Sequence, residues 1–133
     1  MLGYGHRESN DPDAPPLGPV ANRSLDITYE LRIYDAMPGK LPALNDRFAN
    51  ITGGYFEKHG IKQVGYWTDV VGISARLTYI VAFDSLAHRE TAWTAFAADA
   101  DRLKAFAETE KDGPLVARVE NKIMQPTAYS PMK

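Results

Sequence analysis

The stretch Thr28-Tyr29-Glu30-Leu31-Arg32-Ile33-Tyr34 reads as a β-strand, because its side chains alternate with a two-residue period. Tyr29, Leu31 and Ile33 share one face, and Glu30, Arg32 and Tyr34 share the other. Pro38-Gly39 ends the strand with a turn signal. Leu41, Leu44, Phe48, Ile51 and Tyr55 then recur at three- and four-residue steps, which predicts an amphipathic helix. Pro42 is tolerated because it lies in the first turn. Gly53-Gly54 is expected to weaken or kink that helix, and Gly60 to stop it after His59.

Working outward, Ile61 to Val71 is rich in apolar and aromatic residues and reads as a second strand, with a turn at Gly72-Ile73-Ser74. Arg76 to Phe83 reads as a third, with Leu77, Tyr79, Val81 and Phe83 on one face. Asp84 or Ser85 is suited to cap the next helix. That helix shows Leu86, Trp93, Phe96 and Ala97, with a continuation or break near Asp99-Ala100-Asp101 and further helical spacing at Leu103 and Phe106. After Gly113-Pro114, residues Leu115 to Met124 form a last strand with Arg118, Glu120 and Lys122 on one face. The order strand, helix, strand, strand, helix, strand predicts an α+β, ferredoxin-like βαββαβ domain with helices on one face of an antiparallel sheet. The first and last strands are then neighbours. Glu30 and Arg32 are expected opposite Arg118 and Glu120 on the face without helices, joined there by Tyr34 and by Tyr66 or Trp67.

A chain of 133 residues is one domain in length and needs no staple to build a core. Fifteen basic residues against seventeen acidic ones leave no surplus of positive charge, so a nucleic-acid partner is not expected. With no cysteine, disulfides, thiolate metal sites and cysteine nucleophiles are impossible. No apolar run is long enough to span a membrane and no apolar signal core opens the chain, so the expected location is cytoplasmic. Residues 1–25 carry Pro12, Pro15, Pro16 and Pro19 without any apolar period and are expected to form an extended Pro/Gly-rich arm before a domain spanning 26–133. No metal or cofactor is expected, since neither a His-Glu-x-x-His motif, a calcium loop nor a phosphate-cradling glycine loop is present.

Candidate chemistry rests on single residues. His59 ends a helix just before the strand that carries Tyr66 and Trp67, and is the candidate general acid/base. Its competing reading is a helix C-terminal residue that bonds the last carbonyls. Arg32 and Arg118 are candidates to hold developing negative charge, or else rungs of an ion-pair ladder. Tyr34, Tyr66, Trp67 and Tyr79 could line a cavity for a flat, partly apolar ligand, or serve as packing. The resulting expectation places His59, Arg32 and Tyr34 in the chemistry and Tyr66, Trp67, Tyr79 and Arg118 around a small apolar or aromatic oxygenated substrate.

Four segments resemble the NIPSNAP family of the dimeric α/β-barrel superfamily. They are Tyr29-Glu30-Leu31-Arg32-Ile33-Tyr34 with Pro38-Gly39-Lys40-Leu41; Lys58-His59-Gly60-Ile61 with Val64-Gly65-Tyr66-Trp67; Phe83-Asp84-Ser85-Leu86-Ala87-His88-Arg89-Glu90; and Val119 through Pro131. The resemblance implies a ferredoxin-like subunit that forms a homodimer by packing two sheets face to face into a barrel. It implies no particular reaction. Relatives often carry other residues where this chain has Ala75-Arg76 and Tyr79-Ile80-Val81. Two functional classes follow: a cofactor-free enzyme with a sheet-lined cavity, or a ligand-binding or interaction module in which the arm clasps a partner subunit.

Overall fold

The computed structural model describes residues 27–133, so the expected arm at 1–25 lies outside the described residues. Strand β1 (Thr28–Ala36) leads into α1 (Leu41–Arg47), a π-helical turn (Phe48–Thr52) and α2 (Gly53–Lys58). Strands β2 (Lys62–Thr68) and β3 (Arg76–Phe83) follow, then α3 (Leu86–Ala98), α4 (Ala100–Thr109) and β4 (Val116–Met124). The sheet order is β2-β3-β1-β4 and every pairing is antiparallel, the ferredoxin-like arrangement.

The π turn changes which residues of the first helical rod face inward. One extra residue per hydrogen-bonded ring rotates the following segment. Leu44, Phe48, Thr52 and Phe56, four apart, are buried, whereas the expected Ile51 and Tyr55 are only half-buried. The widening immediately precedes Gly53, the position where the sequence predicted weakness. Gly60, at φ +73°, accepts the left-handed geometry that ends the rod.

Leu77, Tyr79, Val81 and Phe83 of β3 point under the helices and join Leu44, Phe48, Phe56, Ile61, Ala92 and Leu115 in the core. Trp93 and Phe96 pack against it, and rings run edge to face from Phe56 through Trp93 and Phe96 to Phe106. The second helical region breaks at Asp99, whose extended backbone ends α3 and whose carboxylate caps α4 by accepting from the Asp101 and Arg102 amides. Ser85 caps α3 in the same way, accepting from the His88 amide.

The faces of β1 are reversed from expectation. Glu30, Arg32 and Tyr34 lie on the helix-covered side with Tyr79 and Val81, while Tyr29, Leu31 and Ile33 lie on the uncovered side. Glu30 pairs in register with Ile123 and Arg32 with Asn121; Arg118 instead faces Asp35 and Glu120 faces Ile33. The physical reason is that the polar residues find partners under the helices that no local pattern announces. The uncovered face consequently carries a half-exposed apolar stripe of Tyr29, Leu31, Ile33 and Ile80, bordered by Trp67 and Met124. Trp67 is 52 % exposed, and its indole folds back over Gly65, where any Cβ would collide with the ring.

Candidate functional site

Glu30 is the centre of a polar cluster built by three elements. Its side chain is 0 % exposed. Oε1 accepts from Arg89 Nε at 2.8 Å and Trp93 Nε1 at 2.8 Å; Oε2 accepts from Arg32 Nη1 at 2.7 Å, Asn121 Nδ2 at 2.8 Å and Arg89 Nη2 at 3.3 Å. Burial pushes the carboxyl up, but the bonds from Arg89, Asn121, Trp93 and Arg32 together outweigh it and bring the pKa down to about 2. The group is therefore a permanent anion at neutral pH.

Arg32 crosses from Glu30 to the tyrosines. Its Nε donates to Tyr79 Oη at 2.8 Å and its Nη2 to Tyr34 Oη at 3.1 Å. Its guanidinium also lies 4.7 Å from the Trp93 ring centre. Burial opposes the charge, yet Tyr79, Tyr34 and Glu30 more than offset it and the group stays cationic. Among the described residues three of its five N–H donors are engaged, which leaves two.

Tyr79 is fully buried, and burial together with the neighbouring Tyr34 raises its phenol well above the usual range. It donates to Tyr34 Oη at 3.1 Å. The Tyr34 oxygen thus accepts from both Arg32 and Tyr79. Its own proton has no acceptor among the described residues. Tyr66 stacks on Tyr79 with ring centres 5.3 Å apart, and burial followed by Tyr34 pushes its phenol up to about 12. Its hydroxyl donates to Gln63 Oε1 at 2.5 Å, and Gln63 in turn bonds the Gly53 carbonyl at 3.3 Å.

The cluster opens on a cleft of about 460 Å³ lined by Arg32, Arg89, Glu90, Trp93, Phe96, Ala97 and Arg102. The cleft is open to solvent along much of its length, and its floor can seat a small organic molecule laid against the wall. Of the cluster, Arg32, Arg89 and Trp93 line it, so what the arrangement offers there is a guanidinium whose geometry is set by three partners, one of them the Tyr34 phenol. Such preorganised donors stabilise negative charge on a ligand oxygen at little reorganisation cost.

Of the residues singled out in the sequence, Arg32, Tyr34, Tyr66 and Tyr79 meet in this one cluster. Trp67 and Arg118 do not, because both lie on the opposite face of the sheet. Arg118 is 60 % exposed and bonds Asp35 and Glu120 at 3.4 and 3.3 Å. His59 stands apart as well. Its Nε2 is 2.7 Å from Asp99 Oδ2, which also accepts from Lys58 Nζ at 2.7 Å, and its ring meets Phe96 edge-on. Lys58 first and His59 second hold the Asp99 carboxyl below the usual carboxylate range. His59 thereby ties the end of α2 to the cap of α4.

A family model for NIPSNAP matches residues 29–131 of the chain. The chain belongs to the NIPSNAP family. A NIPSNAP family protein of unknown function from Agrobacterium tumefaciens superposes with a TM-score of 0.71 at 29 % identity, covering 82 % of this chain and 96 % of that one. A second NIPSNAP protein from that bacterium gives 0.68 at 25 %, with 80 % and 99 % covered. A NIPSNAP-like domain protein from Burkholderia xenovorans gives 0.72 at 20 %, with 80 % and 90 % covered, a likeness of fold. No curated protein matches the chain.

In this NIPSNAP domain the sequence reading missed Arg89, Trp93, Arg102 and Asn121 as site residues. Arg89 and Trp93 are four apart on α3 and so share one face. That spacing, set against a strand whose Glu30 has acceptor capacity beyond its neighbour Arg32, was the available signal.

Proposed function

We propose that the protein acts on a small apolar or aromatic substrate bearing an oxygen that gains negative charge, held in the cleft beneath the helices rather than on the open sheet face. The observation that carries this reading is the Arg32–Tyr34 pair: among the described residues it has two spare guanidinium donors and one uncommitted phenol proton, and Glu30 and Tyr79 fix it in place. Arg32 is the oxyanion holder, and Tyr34 beside it fixes its guanidinium. Tyr79 and Tyr66 position them. In this reading His59 is a positioning residue acting through Asp99.

The test is a titration of bound 4-nitrophenol, whose phenolate absorbs in the visible. Wild-type protein lowers the apparent pKa of the bound phenol, and Arg32→Leu and Tyr34→Phe each reduce that shift. A bound phenol that titrates like the free one, or no binding, overturns the reading.

A second observation supports the homodimer. The stripe of Tyr29, Leu31, Ile33 and Ile80 is the type of surface a monomer rarely leaves in water. A second copy, sheet against sheet, covers it. Sedimentation at micromolar concentration is expected to give twice the monomer mass; a monomer contradicts the barrel.

A further inference from the structure

The walls of the cleft do not balance in charge. Arg32, Arg89 and Arg102 face it, against one lining carboxylate, Glu90, and the buried Glu30 behind it. Glu30 pairs with both Arg32 and Arg89, and Glu90 pairs with Arg89. Arg102 has no carboxylate partner among the described residues. Its Nε and Nη2 donate to the Phe96 and Ala97 carbonyls at 2.8 and 3.4 Å, and Nη1 donates to none of the described groups. The guanidinium lies against both Phe96 and Phe106, 4.6 and 4.7 Å from the ring centres, in the corner made by two rings at 78°. A half-buried Arg fixed in this way presents its free edge as a ready carboxylate fork.

Between Arg32 and Arg102 the wall is aromatic. Trp93 and Phe96 stand at 86° with centres 5.4 Å apart, each carrying one of the two guanidiniums on its ring. The cleft thus has an oxygen-directed pole at Arg32, an apolar middle and a second cationic pole at Arg102. Three guanidiniums against two carboxylates leave room for one negative charge. A dianionic phosphate would overshoot that count.

We propose that the ligand of this cleft is a planar aromatic monocarboxylate with a hydroxyl or oxo group at its other end. The carboxylate sits on Arg102, and the second oxygen sits on Arg32, which Tyr34 and Tyr79 hold in place. This inference rests on the reading of the cleft given above and adds to it the substrate class.

The probes are 6-hydroxynaphthalene-2-carboxylate and its primary amide, titrated by calorimetry into the full-length protein. Wild-type protein is expected to prefer the acid by roughly tenfold, the usual worth of one charge-assisted contact. Arg102→Met is expected to erase that preference by lowering acid affinity more than amide affinity, and Arg102→Lys to restore part of it. Glu90→Gln, at an exposed side chain, is expected to tighten the acid alone. Should Arg102→Met fail to fold, Glu90→Gln still decides. Equal affinity for acid and amide in wild-type protein overturns the inference. So does a preference that survives Arg102→Met, or a Glu90→Gln variant that leaves the acid unchanged. In each of those cases a retained 4-nitrophenol shift keeps the Arg32–Tyr34 reading standing. Loss of that shift, or failure of both naphthalene probes to bind, brings down the two together.

Discussion

The two faces of the one sheet obey opposite rules. Beneath the helices sit a carboxylate, two arginines and three tyrosines, each with named partners; on the side without helices sit the half-buried Tyr29, Leu31, Ile33 and Ile80. A buried charge is tolerable when several donors converge on it, as five hydrogen bonds do on Glu30. An exposed apolar stripe is tolerable when another surface covers it. The difference teaches that polarity alone does not tell which side of a strand is inside.

The first way to break the comparison is at Glu30. Glu30→Gln leaves Arg32 and Arg89 buried without their counter-charge, and a loss of about 3 kcal/mol in urea unfolding is expected. The pH dependence has the same origin. Because the folded carboxyl is depressed from 4.5 to about 2, its contribution is complete above pH 4.5 and lost as pH falls towards 2. The loss across that window amounts to about 3 kcal/mol in wild-type protein. Glu30→Gln is expected to flatten that part of the stability profile.

The open face yields to a charge of its own. Ile33→Asp is expected to weaken the proposed dimer about a hundredfold or more, since twofold symmetry would bury the change twice. Sedimentation checks this, and chemical denaturation of the separated subunit should barely change. Under the helices, Tyr34→Phe opens no cavity but leaves the Arg32 Nη2 and Tyr79 hydroxyl donors without their acceptor, so a loss of about 1–3 kcal/mol is expected. Binding of 4-nitrophenolate should fall roughly tenfold in the same variant. The smallest effect belongs to Arg118→Ala. Its two long, exposed ion pairs predict a change of about 0.5 kcal/mol or less, and no effect on ligand binding.

Much of this fold is legible in the sequence because it rests on local signals. Alternation in Thr28 to Tyr34 sorts the residues of β1 into two correct sets. Pro38-Gly39, Gly60 and the Ser85 cap mark ends that backbone geometry demands. Asp99 carries the break between α3 and α4. What local signals lack is the identity of the covered side. Glu30 is satisfied by Arg89, Trp93 and Asn121, at sequence separations of 59, 63 and 91 residues, and only the folded chain brings them together. The π turn is equally silent, since one inserted residue shifts the inner face from Ile51 and Tyr55 to Thr52 and Phe56. For the site, Arg32, Tyr34, Tyr66 and Tyr79 were recognisable as a polar and aromatic set. Arg102 was not, because a lone arginine on a helix reads as a solvated surface residue.

The chain's two tryptophans stand on opposite faces of the sheet, Trp93 bonded to Glu30 and Trp67 folded over Gly65. Their indole N–H resonances therefore report the two faces separately. The decisive measurement is a ¹⁵N–¹H correlation spectrum recorded while 6-hydroxynaphthalene-2-carboxylate is added, with Trp67→Phe to assign the peaks. The Trp93 indole is expected to shift in a saturable way while the Trp67 indole stays in place. A Trp67 peak that moves while Trp93 is silent would place the ligand on the open sheet face and contradict the division of labour between the two sides.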